Sequence, residues 1–423
     1  MGKIPAFVVA KLLRFLTRLR GGGSAFPGYV LLKLRPTILT DSLGHLADGI
    51  VFVSGSNGKS TTTTMVVSLL RAHGKTVFSN PAGGNLPQGL ASAVAATASL
   101  TGRISADVAV LEVDEAYGGI IADAITPDWV VLTNLQVDQL NRFGEPEHVY
   151  ALLHDLAQRA TRGVLVNAGD PNLRAMGTQL QAAGHHVFWV EISPEAASSA
   201  PHGLVPAEVF PEIPGNLTGD PVATLGAVEG SNATLAVGGE RVDVKLPGPG
   251  LHYAVDATLA AGMARVLLGS ELSSPTLAEA MSDSQPVFGR GEKITYRGTE
   301  VSLIMMKNLP SLQVNIDALT TRPDVTWVAV DEGTPDPSWI YDVDLGVIDH
   351  IDVITGTKAW QWALLCEHRG IPYGEVIQPT AEALDRVVAL AAAKGSPVTA
   401  VVNYEQMMLI RRIAGYKELE GSS

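Results

Sequence analysis

Cysteine is almost absent from this sequence. One residue, Cys366, stands among 423, which excludes an intramolecular disulfide framework and any Cys-cluster zinc site. A reducing cytoplasm fits that composition. Basic charge is also scarce. Against 30 Lys and Arg stand 43 Asp and Glu, a net charge of -13, so the chain is no general binder of nucleic acid, whose phosphates need surplus positive charge. Long apolar runs are missing too. The early run Ile4 to Ala10 falls far short of the roughly 20 residues that span a bilayer. Basic residues recur through Lys3, Lys11, Arg14, Arg18 and Arg20 without a small-residue cleavage site, unlike a secretory signal. What is plentiful is apolar material, 46% of the chain, enough for large cores and too much for disorder.

That length suits two or three domains. The segment Lys3 to Arg20 has helical apolar spacing with a basic side. Two fates stand open for it: packing on the next domain with a solvated basic face, the commoner one, or resting on an anionic membrane surface. Gly21-Gly22-Gly23-Ser24 then breaks the helix. From Ile50 onward, short apolar strands (50–54, 77–79, 108–111, 129–132, 163–166, 186–192) alternate with helices such as 59–73 and 146–159. Such alternation predicts an α/β fold with a mainly parallel sheet. Ser193 to Gly239 is rich in Pro, Gly, Ala and Ser and reads as an irregular or β-rich insertion. A second α/β unit begins near Glu300, with strands at 326–330, 351–354 and 399–402. The expected organisation is a lead-in at 1–45, a central domain at 46–288 and a smaller C-terminal domain at 289–423.

The sharpest local signal is Ser54-Gly55-Ser56-Asn57-Gly58-Lys59-Ser60-Thr61-Thr62. It follows a strand and opens a helix, the setting of a phosphate-binding loop. Glycines let backbone N–H groups turn towards phosphate oxygens, and the helix N-terminus adds partial positive charge. Lys59 is placed to reach β- and γ-phosphates and Ser60 to ligate Mg²⁺. Val53 stands where the longer eight-residue motif has its first glycine, so the shorter G-x-x-G-K-[ST] form is present.

The G-S-N-G-K-S-T-T run resembles the phosphate loop of the Mur ligase superfamily, whose members include folylpolyglutamate synthases. Further stretches fall in the superfamily's order: Val110 to Glu115; Thr133-Asn134-Leu135 with Asp138 to Gly144; Val166 to Pro171; Leu246-Pro247-Gly248 with His252; and Gly289-Arg290-Gly291-Glu292. Within it, one subgroup resembles this chain better than the amino-acid-adding ligases, the MurT-type subunits of lipid II isoglutaminyl synthases. The markers are Asp138-Gln139, Asn80-Pro81-Ala82-Gly83-Gly84-Asn85, Lys307-Asn308, Asp336 to Asp344 with Trp339, and Asn403-Tyr404. The resemblance runs from about Arg14 to Arg412. It departs at Tyr253 and Asp256, where adenine contacts are usual, and at the cysteine-free Ser193 to Gly239, where many relatives hold zinc.

The resemblance implies a Mur-ligase-like P-loop domain followed by a Rossmann-like C-terminal domain. It implies an ATP- and Mg²⁺-dependent enzyme that amidates the D-glutamate α-carboxylate of the lipid II stem peptide through an acyl phosphate. Gly55, Ser56, Asn57, Gly58, Lys59, Ser60 and Thr61 would hold the nucleotide with Asn134, Arg290 and His252. Ser60 and Glu112 would hold Mg²⁺, with Glu115 as the alternative acid. Asn85, Lys307 and Asn308 would face substrate. No zinc is expected. Glutamine hydrolysis needs a Cys–His pair, and Cys366 sits in an apolar helical stretch as a packed core residue. A GatD-like glutaminase partner is therefore expected to supply ammonia, with Asp342, or its neighbours Asp336 and Asp344, completing that partner's triad. The expected location is cytoplasmic, at the inner face of the membrane if the basic helix rests there. Two rivals remain: an amino-acid-adding Mur-type ligase working alone, and a nucleotide-binding scaffold without turnover.

Overall fold

A computed structural model describes residues 2–19, 25–81, 84–138, 145–208, 217–284, 290–319, 321–333 and 338–416, with backbone only at 18, 19, 290 and 291. Helices α1 (Lys3–Leu19), α2 (Phe26–Leu34) and α3 (Ile38–Leu43) precede strand β1 (Gly49–Ser54). Then follow α4 (Lys59–Ala72), β2 (Val77–Ser79), α5 (Pro87–Thr97), β3 (Val108–Glu112), α6 (Gly118–Ala124), β4 (Trp129–Leu132) and α7 (Pro146–Gln158). Next come β5 (Gly163–Asn167), α8 (Pro171–Ala182), β6 (Val187–Ile192) and the short α9 (Pro194–Ala197).

A nine-stranded sheet has the order β2-β3-β1-β4-β5-β6-β7-β8-β9, where β7 is Ala223–Glu229, β8 Asn232–Val237 and β9 Glu240–Lys245. Its pairings are parallel as far as β6–β7, and an antiparallel meander follows. Within 193–239, then, residues 223–237 extend the sheet, while 193–208 hold the short α9 and turns. Strand β1 is buried along its whole length, as a central parallel strand must be. Its alternate residues serve two cores. Ile50 and Phe52 face α5 to α8; Val51 and Val53 face α4, α10 (Leu251–Leu268) and α11 (Ser274–Ser282).

The second sheet has the order β10-β11-β15-β12-β13-β14. Its strands are β10 (Arg290–Tyr296), β11 (Thr299–Met305), β12 (Val325–Ala329), β13 (Ile351–Thr355), β14 (Tyr373–Val376) and β15 (Val398–Val402). Only β10, at the edge, runs antiparallel. Because β10 belongs to this sheet, the second sheet begins about ten residues before Glu300. Helices α12 (Leu309–Asp317), α13 (Ala359–Arg369), α14 (Thr380–Lys394) and α15 (Tyr404–Ile413) complete it. Cys366 lies wholly buried on α13, where burial pushes its thiol up to about 11.

Among the described residues no helix is long and apolar enough to cross a membrane. Helices α1 and α2 form a layer over α5. Gly28 N–H donates to Ser92 Oγ at 2.8 Å, and a Cβ there would lie 2.0 Å from Gln88 O. Only glycine permits that approach.

Candidate active site

The site gathers where strand order reverses, at the C-terminal ends of β1, β3 and β4. Such switch points leave a crevice in open α/β sheets. The phosphate loop runs from β1 into α4. Gly58 caps α4 at φ 82°, and a Cβ there would meet Asp256 Oδ1 at 2.3 Å. That position therefore needs glycine for both backbone and space.

Lys59 is buried. Its ammonium donates to Gly55 O at 2.5 Å and Ser56 O at 3.2 Å, and pairs with Glu115 Oε2 at 2.8 Å. Burial alone would lower its pKa, but Glu115 first, then Glu112 and Asp138, outweigh that and hold it above the usual lysine value. Glu115, the alternative acid, is 1% exposed and serves here as the counter-ion of Lys59. Ser60 Oγ donates to Glu112 Oε2 at 2.7 Å. The Asn80-to-Asn85 segment holds this acid in place. Asn80 bonds both the N–H and the carbonyl of Glu112, and Asn85 Nδ2 donates to Glu112 Oε1 at 3.1 Å. Asn85 is thus a brace of the acid.

Asn134 braces the loop itself. Its Oδ1 accepts from Asn57 N at 2.9 Å and its Nδ2 donates to Asn57 O at 3.0 Å. Gln136 escaped the sequence reading. It exchanges backbone hydrogen bonds with the Ser56 hydroxyl and accepts from Asn57 Nδ2 at 2.7 Å. Only its place after Thr133-Asn134-Leu135 hinted at this. Asp170 caps α8, accepting from Asn172 N and Leu173 N, and also accepts from Leu135 N at 2.7 Å; burial pushes its carboxyl up to about 6 against those three backbone bonds. Thr61 is buried in the first turn of α4.

Lys307 and Asn308 bring the second sheet's unit to the same loop. Lys307 Nζ lies 2.5 Å from Asp138 Oδ2 and 3.4 Å from Ser56 O. Asp138 Oδ1 is buried without a hydrogen-bond partner among the described residues. Asn308 caps α12 in a capping box and lies 3.5 Å from the Asn57 amide. Its side chain thus joins the helix start to the loop. Asn57, Gly58, Asn134, His252, Asp256 and α12 line a cleft with about 490 Å³ of empty space, part of it open to solvent. His252 faces that cleft, its ring 4.5 Å from Tyr253. Asp256 accepts from Thr62 Oγ1 at 3.3 Å. Of the two departures, Asp256 lies against the loop, whereas Tyr253, on α10, is buried in the core.

Asp342 ends an exposed 3₁₀ turn, Ser338–Asp342. Asp344 is engaged instead: it lies 3.4 Å from His202 Nε2, and its backbone exchanges two bonds with Gln313. His202 also pairs with Asp317 at 2.9 Å. Gln139, Asn141 to Gly144, Asp336 and the Arg290 side chain lie outside the described residues.

Comparison with known proteins agrees with this arrangement. Over 382 residues the chain is 29% identical to a Streptococcus pneumoniae protein named lipid II isoglutaminyl synthase (glutamine-hydrolyzing) subunit MurT, covering 83% of this chain and 81% of that one. It is 35% identical to a UDP-N-acetylmuramate–L-alanine ligase of Rhodococcus opacus over 154 residues, 36% of this chain and 28% of the ligase. In fold it resembles the MurF ligase of Thermotoga maritima solved in complex with ADP, at TM-score 0.64 and 18% identity, over 92% of this chain and 82% of that one. The Mur ligase middle domain model matches residues 53–264. That stretch is half of the sequence and contains the phosphate loop, Glu112, Asn134 and His252, so the chain belongs to the Mur ligase family.

Proposed function

We propose that this chain is the synthetase subunit of a glutamine-dependent lipid II isoglutaminyl synthase. It uses ATP to convert the D-glutamate α-carboxylate of the stem peptide to the amide. A carboxylate oxygen attacks the γ-phosphorus of ATP and ADP leaves. Ammonia then adds to the acyl phosphate carbon, inorganic phosphate departs and the nitrogen gives up a proton. The reading is carried by the length of one likeness. The S. pneumoniae subunit aligns with 83% of the chain, so the match must extend into the second sheet's unit, where Asp342 lies.

The loop N–H groups and Lys59 would bind the phosphates, and loss of water from the cleft would protect the acyl phosphate from hydrolysis. Lys307, charged and directed at Ser56 O, would face the transferred phosphoryl group. His252 and Arg290 would contact the nucleotide, and Asn134 would hold the loop that binds it. Ser60 and Glu112 place two hard oxygen donors side by side, which suits Mg²⁺, an ion that takes few protein ligands and fills its sphere with phosphate oxygens and water. Bound there, the ion would neutralise charge on the phosphates.

Ammonia would come from a GatD-like partner, because the one cysteine is buried with its thiol pushed up to about 11, a poor nucleophile. Asp342, exposed on its turn, would orient the partner's catalytic His. The reaction would run in the cytoplasm. The test is amidation of lipid II with ATP and Mg²⁺, using ammonium alone and then glutamine plus the candidate glutaminase. ADP release on adding an amino acid, with no amidation from either nitrogen source, would move the chain to the amino-acid-adding ligases.

A further inference from the structure

The first helix uses only part of its apolar surface for packing. Helix α1 buries Ala6, Phe7 and Ala10 against the domain, yet Ile4 (53%), Leu12 (56%) and Phe15 (61%) stay largely exposed, with Val8 and Leu16 beside them. Their spacing of three and four residues puts them in one outward stripe. The α2 residues Phe26 and Tyr29 are half exposed as well. The expected packed helix with a solvated basic side is thus corrected in one respect: what faces outward is apolar, edged by Lys11.

Charge says what covers this face. Seven of the 30 Lys and Arg lie in the first 40 residues and none of the 43 Asp and Glu does; the first acid, Asp41, pairs with two of the seven, Lys3 and Arg35. The rest of the chain therefore has 23 basic against 43 acidic residues. A second copy meeting the same face would bring two basic segments together. An anionic bilayer surface satisfies both demands, taking the apolar stripe into its acyl boundary and the basic residues at its headgroups. We infer that α1, with the start of α2, is an interfacial anchor that rests on an anionic lipid surface. The layer is one helix from the site: α1 and α2 pack on α5, and α5 begins two residues after Asn85, which holds Glu112. The inference adds a surface to the proposed function and does not depend on it.

The test is flotation of the full chain with phosphatidylglycerol-rich and with pure phosphatidylcholine vesicles, at low and high salt. Binding is expected with the anionic vesicles, weakening as salt rises. The double variant Leu12→Glu, Phe15→Glu removes two exposed side chains and should lower binding at least about tenfold, since inserting one such side chain stabilises by about 1.5–3 kcal/mol. Lys11→Glu should lower it about fivefold or more, at about 1 kcal/mol per basic residue near the surface. A dye on Phe15→Cys gives a check at an exposed position, labelled there alone because Cys366 is buried; its emission should shift to the blue with anionic vesicles. No flotation, equal flotation with neutral vesicles, an unshifted dye or undiminished binding of the double variant each overturns the inference. So does a dimer in vesicle-free sedimentation that the double variant abolishes, with no flotation. Amidation of detergent-dispersed substrate should be unchanged by the double variant, so failure of the anchor and failure of the proposed reaction are read separately.

Discussion

Lys59→Met should destabilise the protein as well as inactivate it, and the two losses should be separable. The Lys59 and Glu115 side chains are 9% and 1% exposed and meet at 2.8 Å. Removing the cation leaves a buried carboxylate facing the Gly55 and Ser56 carbonyls that Lys59 bonds. Breaking one half of a buried ion pair costs about 3–5 kcal/mol. For a domain of this size each kcal/mol moves Tm by roughly 2–4 °C, so the single variant should melt on the order of 10 °C lower. The double variant Lys59→Met, Glu115→Met replaces both charges with apolar groups and should recover most of that loss. Activity should stay absent in both, because nothing replaces the ammonium at the phosphates. The sign with pH also follows. Lys59 is held above its ordinary value of 10.5, so the pair's contribution is complete below that pH and is lost only as pH rises through the raised value. Titration of Lys59 should therefore add no pH dependence to wild-type stability between pH 6 and about 9. Thermal and urea unfolding of the three proteins, read beside ADP release, decides it. A single variant as stable as wild type, or a double variant no more stable than the single, would refute the reasoning.

Further outcomes are expected. Asp342→Asn should abolish glutamine-dependent amidation in the presence of the partner and leave ammonium-dependent amidation within about twofold, since an exposed turn acid lies outside the phosphate site. Gln313→Leu should show the same split in milder form; it removes two bonds to the Asp344 backbone, and restored turnover on raising partner concentration would separate weak docking from a misplaced acid. Gly58→Ala should cut ATP affinity at least about tenfold, because its Cβ would sit 2.3 Å from Asp256 Oδ1; unchanged nucleotide titrations would contradict that. Glu112→Gln should raise the Mg²⁺ concentration needed for half-maximal ADP release, the neutral amide being the weaker ligand, with little change in Tm.

Much of the fold was legible because parallel strands buried on both faces read as unbroken apolar runs. Val108 to Leu111, Trp129 to Leu132 and Thr399 to Val402 each fall in observed strands. Strand β10 was hidden because its alternation around Arg290 to Tyr296 is that of a half-exposed edge. The meander β7 to β9 was legible only as an irregular or β-rich stretch, because Ala and Gly carry weak strand signals. At the site, the loop residues were legible because glycine, lysine and serine at fixed spacing have one common use. The roles of their neighbours were not, because a polar side chain at the right position in sequence does not say which partner it meets. Asn85, Asn134 and Asn308 were each placed at the site, yet the structure occupies their amides with Glu112, Asn57 and the first turn of α12.

The contacts between the two sheets' units explain why such roles resist a reading along the chain. Lys307 with Asp138, Asn308 with Asn57, and His202 with Asp317 and Asp344 are all polar and cross more than 100 residues of sequence. The cleft's lining also comes from both units: Asn57, Asn134 and His252 from one, Pro310, Ser311 and Val314 from the other. Interfaces of this kind carry no apolar periodicity to detect, and hydrogen bonds at a wet edge are each worth only about 1 kcal/mol. Helix α12 makes the consequence concrete. Its N-terminal cap touches the phosphate loop through Asn57, and Gln313, one turn on, holds the backbone two residues from Asp342. A rigid helix of nine residues therefore links the two ends of the proposed chemistry. Any shift of the second unit against the loop must displace the Asp342 turn with it.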